Sequence, residues 1–92
     1  MKVVIREEAA DDLDGIFAWI ARDNPTAARE TIARVRASIE RLANFPNMAR
    51  VGRVEGTREW VVPRLPYIVV YKVDEQRDEL VVLAVFHGAR DR

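Results

Sequence analysis

The N-terminal part of the chain combines a short β-branched segment with a longer segment of helical periodicity. Residues Lys2–Arg6 have the sequence KVVIR, and a β-branched run between charged residues predicts a first strand. In the segment that follows, apolar residues recur three or four positions apart, which is the spacing of one helical face. The predicted apolar stripe of this first helix consists of Ala10, Leu13, Ile16, Phe17 and Ile20.

A second helix is predicted directly after the dipeptide Asn24-Pro25. Asparagine is a favourable N-cap, and proline suits the first helical position because no hydrogen bond is required of its nitrogen there. Apolar residues then recur at alternating spacings of four and three, while Arg34 and Arg41 are expected to face solvent. The stripe consists of Ala28, Ile32, Val35, Ile39 and Leu42. A break at Asn44–Pro46 ends the pattern, so the two helices are expected to form an antiparallel hairpin.

The second half of the chain has the character of a β-sheet. After a loop over Asn47–Gly56, strands are predicted at Thr57–Val62, Tyr67–Val73 and Leu80–Phe86. The last of these is an unbroken apolar run, which predicts a central strand covered on both faces. The element order β-α-α-β-β-β predicts an α+β fold with the helical hairpin packed on one face of a small, mostly antiparallel sheet. The whole chain, residues 1–92, is expected to form a single domain.

Composition excludes several classes of function. The chain has 15 basic and 15 acidic residues, so a strongly basic coat for nucleic acid is absent as a global property. It has no cysteine and one histidine, which removes disulfide scaffolds, thiolate sites and His-rich metal sites. No metal and no cofactor are therefore expected. No apolar run approaches the roughly 20 residues that span a bilayer, and the N-terminus lacks a signal-peptide pattern. The expectation is a cytoplasmic domain without membrane contact.

Four cationic or titratable side chains in the second half are candidates for a binding or catalytic site. Arg53 and Arg58 lie near the start of one predicted strand, and His87 and Arg90 follow the last one. In a meander these positions can adjoin, so the four are expected at one rim of the sheet. Arginine binds phosphates and carboxylates, and histidine transfers protons near neutral pH. The alternatives are that arginines scattered among glutamates form an ordinary solvated surface, that Arg58 forms a salt bridge to a nearby acid, and that His87 is a capping or turn residue.

Five segments resemble the RelE/ParE superfamily of bacterial toxins from type II toxin–antitoxin systems. The first two are A-x-x-D-L-x-x-I-x-x-x-I at Ala9–Ile20 and DNPTAA at Asp23–Ala28. The others are FPNMARVGRVEGTRE at Phe45–Glu59, LPYIVVYKV at Leu65–Val73 and VFHGARD at Val85–Asp91. The resemblance covers nearly the whole chain and implies a β-α-α-β-β-β fold.

Two kinds of target are implied by this resemblance. Members similar to RelE cleave mRNA in the ribosomal A site, whereas members similar to ParE poison DNA gyrase. The RelE-type lysine positions hold Glu59 and Val61 here, the third-strand arginine position holds Ile68, and the tail tyrosine has no counterpart. Only Arg90 matches that set, and His87 matches the histidine of the YoeB-like branch, whose neighbouring tyrosine is Gly88 here. The resemblance therefore favours gyrase poisoning, with an mRNA endoribonuclease and a non-toxic binding module as alternatives.

Partners are implied in the same way. A cognate antitoxin is expected to hold the toxin inactive in a hetero-oligomer of two toxins and two antitoxins or larger. The target would be DNA gyrase or the ribosome, and operator DNA would be contacted only through the antitoxin. The apolar seam of the helical hairpin or an exposed sheet edge would dock the antitoxin, by helix-in-groove packing or by β-augmentation.

Overall fold

Two helices and five strands make up the computed structural model, which describes residues 1–89. The strands are β1 (Lys2–Ile5), β2 (Arg50–Val51), β3 (Arg58–Val61), β4 (Tyr67–Asp74) and β5 (Glu79–His87), and the helices are α1 (Glu7–Ala21) and α2 (Pro25–Asn44). The α+β class and the packing of a helical hairpin on a sheet are as predicted. Of the predicted site residues, Arg90 lies outside the described part of the chain.

Helix α2 begins and ends where the sequence predicts. The Asn24 side chain accepts a hydrogen bond from the backbone N–H of Ala27 at 3.0 Å, and Pro25 occupies the first helical position. The predicted stripe faces the core, with Ala28, Val35, Ile39 and Leu42 buried and Ile32 packed against them. Arg34 and Arg41 are exposed, as expected.

The apolar stripe of α1 is rotated from the predicted one. Ala9 and Leu13 are buried, with Ile16 and Ile20 packed against the core, whereas Ala10 is only half-buried. Phe17 is 37% exposed. The stripe 9-13-16-20 has helical spacing in its own right, and a phenylalanine one position beyond Ile16 points away from it.

The sheet has one strand more than predicted. Its order is β1-β5-β4-β3-β2, with β1 parallel to β5 and every other pair antiparallel. The extra strand, β2, lies within the predicted loop Asn47–Gly56, and it is only two residues long. A strand this short has no periodicity, so the sequence pattern does not predict it.

Leu83 is an extra residue in β5, opposite β4. Val70 is paired with Ala84 and Tyr71 with Val82, so Leu83 has no partner position. The bulge reverses the alternation of side chains, so that both Val82 and Val85 belong to the core beneath the helices.

The helices cover one face of the sheet, not two. Tyr67, Val69 and Tyr71 on β4 pack with Val35, Ile39 and Leu42 of α2 in one core cluster. By alternation, the side chains of Ile68 and Val70 lie on the opposite face, which no described helix covers. The predicted central position of Leu80–Phe86 is confirmed, since β5 lies between β1 and β4. Val81, on the face without helices, is only 5% exposed, so the start of this run is buried on both faces, whereas Ala84 and Phe86 are only half-buried.

Candidate target-binding surface

The pairing of β4 with β5 places His87 beside Tyr67. The two residues are direct partners in the register, and their rings form an edge-to-face contact with centroids 5.7 Å apart. His87 Nδ1 accepts a hydrogen bond from the backbone N–H of Ala89 at 3.1 Å. The backbone N–H of Gly88 donates to the carbonyl oxygen of Pro66 at 2.7 Å, so the end of β5 is fixed against the β3–β4 connection. The imidazole is thereby held on the helix-covered face of the sheet, the face to which Tyr67 belongs.

Arg58 is held at a different level of the sheet. It pairs with Tyr71, four positions along β4 from Tyr67 and two strands away from His87. That offset corresponds to roughly 16 Å between the Cα atoms of Arg58 and His87. The guanidinium of Arg58 donates to the carbonyl oxygens of Ala49 at 2.8 Å and Asn47 at 3.5 Å, so it links the segment after α2 to β3.

Of the predicted site residues, Arg53, Arg58 and His87 lie within residues 1–89, and these three do not form one cluster. Arg53 lies in the β2–β3 connection, where its backbone N–H donates to Glu59 Oε2 at 3.1 Å. It is on the Arg58 side of the sheet, away from the end of β5 that carries His87. The expected common rim is wrong for Arg53, Arg58 and His87 because the register separates the start of β3 from the end of β5.

Glu59 is a buried carboxylate that sequence reasoning did not identify as structural. It is 6% exposed, and it accepts hydrogen bonds from the Arg50 guanidinium at 3.3 Å and from the Arg53 backbone. These two bonds close the β2–β3 connection around one side chain. Burial of a carboxylate is tolerated when charged and polar donors surround it, which is the situation here.

The positions aligned with the ribonuclease cations share the uncovered face of the sheet. Glu59 and Val61 alternate on β3, and Val61 is the direct partner of Ile68 on β4. Val61 is 46% exposed, whereas Glu59 and Ile68 are each 6% exposed, so Val61 alone of the three presents aliphatic surface to solvent. His87 is on the opposite face. The uncovered face therefore lacks the base, acid and cation set at the three aligned positions.

The Asp12 carboxylate on α1 forms a hydrogen bond with the backbone of β5 where that strand has no strand neighbour. Strand β1 pairs only with Glu79–Val82, so the later half of β5 has no strand on that side. Asp12 Oδ2 accepts the Val85 backbone N–H at 2.9 Å and takes the place of a strand partner. The two residues are 73 positions apart, and nothing in the local sequence indicates this bond.

Neither a metal centre nor a membrane span emerges from the described residues. Residues 1–89 contain no group of three or more His, Cys, Asp or Glu side chains that could hold a metal ion. Within the same range, neither helix is long and apolar enough to cross a bilayer.

Comparison with known proteins defines the class. Residues 3–92 match the family described as ParE toxin of type II toxin-antitoxin system, parDE. The chain belongs to this family, as the five-segment resemblance predicted. It is also 38% identical over 76 residues to "Putative toxin Y4kP" of Sinorhizobium fredii, with 83% of this chain and 76% of that protein covered.

Solved structures confirm the fold. A chain of the chromosomal ParDE system from P. aeruginosa superposes with a TM-score of 0.82 at 21% identity, covering 95% of each chain. A chain of the intact E. coli RelBE toxin–antitoxin complex superposes with a TM-score of 0.67 at 14% identity, covering 99% of this chain and 98% of that one.

Proposed function

We propose that this chain is a toxin that poisons DNA gyrase and is neutralised by a cognate antitoxin. The observation that carries the choice of target is the uncovered sheet face. Its three positions aligned with the ribonuclease cations hold Glu59, Val61 and Ile68. The match to the ParE family supports the same choice.

The chemistry of RNA cleavage argues against the ribonuclease alternative. Attack of a 2′-hydroxyl on the adjacent phosphate requires a base, an acid and cationic stabilisation of the pentavalent phosphate together. Two aliphatic side chains, Val61 and Ile68, supply none of these. The Glu59 carboxylate is 6% exposed and is engaged by the Arg50 guanidinium and the Arg53 backbone, so it is not positioned to take a proton from RNA. His87 lies on the other face of the sheet, so it does not complete a site with these positions.

The residues proposed to contact the target are Arg53, Arg58, His87 and Arg90. The guanidinium of Arg58 already bonds two backbone carbonyls, so its contribution would include holding the β2–β3 region in place. Arg53 is exposed, and His87 is half-buried at the end of β5. Because Arg58 and His87 lie two strands and four positions of β4 apart, the target would be engaged at two separate places on the toxin, through charge and hydrogen bonds and without a covalent step.

Substitution of His87 separates catalysis from binding. On programmed ribosomes, we expect the purified toxin to leave mRNA intact, and we expect His87→Gln to change toxicity only modestly. A general acid or base would instead contribute about 10²–10⁴-fold to a cleavage rate. Codon-positioned cleavage that vanishes in His87→Gln would support the ribonuclease alternative instead.

Arg90→Ala is expected to weaken target affinity by about 1–3 kcal/mol, the size of a lost charged hydrogen bond.

The outer edge of β1 is a proposed docking site for the antitoxin. In the parallel pair, Lys2 and Arg6 donate their N–H groups toward β5, so those of Val3 and Ile5 point the other way. A slot of about 80 Å³ beside this edge is lined by Val3, Ile5, Ile39, Arg36 and Glu40. No strand of residues 1–89 pairs with this edge of β1, and the slot beside it is partly apolar, which favours addition of an extended segment as a further strand. The structural relatives include a toxin–antitoxin complex, which supports this partner.

The assembly proposed from this docking is a hetero-oligomer of toxin and antitoxin in the cytoplasm. The chain's net charge of zero gives it no general affinity for phosphate backbones. Operator DNA would therefore be bound by the antitoxin part of the complex.

A further inference from the structure

Gly15 stands in the middle of α1 without a packing reason. A Cβ built at Gly15 would have no atom within 4 Å. The other three glycines each have a reason: a Cβ would meet Thr57 at 2.3 Å from Gly52 and Ile68 at 3.1 Å from Gly88, and Gly56 has a φ of +82°. Glycine is among the poorest helix formers, so its presence inside α1 costs stability that no described contact recovers.

The missing side chain leaves a groove open between α1 and the end of β5. The groove has a volume of about 320 Å³, and its lining includes Asp11, Gly15, Trp19, Tyr67 and His87. Grooves of this size are within the usual range of ligand sites, roughly 300–1,000 Å³. Any side chain at position 15 would project into the region where this groove is open.

The groove is acidic and aromatic. Helix α1 carries five carboxylates and no basic residue between Glu7 and Ala21. Asp12 is occupied by the Val85 backbone, whereas the Asp11 carboxylate has no ion pair or hydrogen bond within residues 1–89. Trp19 is 56% exposed. The guanidinium carbon of Arg22 lies 5.5 Å from the centroid of its ring, so Trp19 makes a cation–π contact within the chain. Carboxylates beside indole and imidazole rings are complementary to a cationic side chain.

We propose that this groove binds an arginine or lysine side chain carried by a segment of the antitoxin. The inference rests on the proposed neutralisation by an antitoxin and adds the chemistry of one contact. The occupant's charge would pair with Asp11 and its aliphatic stem would lie over Gly15 against Trp19. Because His87 lines the groove, a segment seated there covers one of the proposed target-contacting residues. Neutralisation would then act in part by masking His87.

The test measures the affinity of the purified toxin for the antitoxin encoded in the neighbouring open reading frame. Asp11→Asn removes the charge at nearly constant shape, and Gly15→Gln fills the groove. We expect each to weaken binding by about tenfold or more, the effect of losing one charged hydrogen bond. Asp14→Asn is the matched control, since it makes the same charge change on an exposed residue of α1 that does not line the groove. It should leave the affinity within about twofold of the wild type.

Stability separates a filled groove from a damaged fold. Gly15→Gln replaces a poor helix former by a good one, so its melting temperature should rise while its affinity for the antitoxin falls. Tight binding by the wild type that stays unchanged in Asp11→Asn and Gly15→Gln would overturn the groove assignment alone. A wild-type toxin with no affinity for the neighbouring protein would overturn the neutralisation proposal as well. A further contrary result would be that Asp11→Asn loses gyrase inhibition while its affinity for the antitoxin stays unchanged. That result would also overturn the proposal, because it would show that the groove binds the target and not the antitoxin.

Discussion

Substituting Ile39 by aspartate is expected to destabilise the fold by about 3–5 kcal/mol. Ile39 is 2% exposed and belongs to the core cluster between α2 and the sheet. The variant loses the packing of an aliphatic side chain and places a carboxylate where the contacts are apolar. A domain of this size has a total stability of roughly 5–14 kcal/mol, so a large share of it would be lost. Equilibrium urea denaturation followed by circular dichroism measures the change.

The matched control is Ala37→Asp. Ala37 is two positions away on the exposed side of α2, so this variant introduces the same residue into the same helix without burying it. Its cost should be about 1 kcal/mol or less, mainly from the lower helix propensity of aspartate. Equal denaturation midpoints for Ile39→Asp and the wild type would contradict the placement of this helix face against the sheet.

Expression of the chain without its antitoxin is expected to arrest the growth of a bacterial host. A gyrase poison converts a working enzyme into a source of broken DNA, so viable counts should fall by orders of magnitude. Co-expression of the neighbouring open reading frame should restore growth, because the antitoxin would cover the target-binding surface. Colony counts with and without the second gene measure both effects.

The folding-deficient Ile39→Asp variant serves as the control for this arrest. It should be harmless, which would show that the arrest requires the folded toxin. Unimpaired growth at confirmed soluble expression of the wild type would contradict the toxin assignment and favour a binding module.

Local patterns predict the helical half of this fold well. The Asn24-Pro25 start of α2 and its alternating apolar spacing depend only on neighbouring residues, so the sequence contains the whole signal. The sequence determines less well which face of α1 is buried, because Ala9 and Ala10 are equally apolar and only the tertiary packing selects Ala9. Strand β2 was missed because two residues have no periodicity.

Long-range pairing explains why the candidate site was predicted only in part. The residue types of Arg58 and His87 suggest binding chemistry, but their separation depends on the register of three strands. The role of Asp12 depends on one hydrogen bond to backbone 73 positions away, and that of Glu59 on bonds from the Arg50 side chain and the Arg53 backbone; no local spacing encodes either. The alignment of Glu59, Val61 and Ile68 with ribonuclease positions was informative because alternation and register place all three on one face.

A supercoiling assay with purified gyrase and relaxed plasmid tests whether DNA gyrase is the target of this toxin. We expect the purified toxin to slow supercoiling in proportion to its concentration, and we expect cleaved plasmid to accumulate when the reaction is stopped with detergent. The Asp14→Asn variant should inhibit equally, since Asp14 is exposed and lies outside the groove and the proposed target contacts. Full supercoiling activity without cleaved DNA, at toxin concentrations that arrest growth, would contradict gyrase as the target.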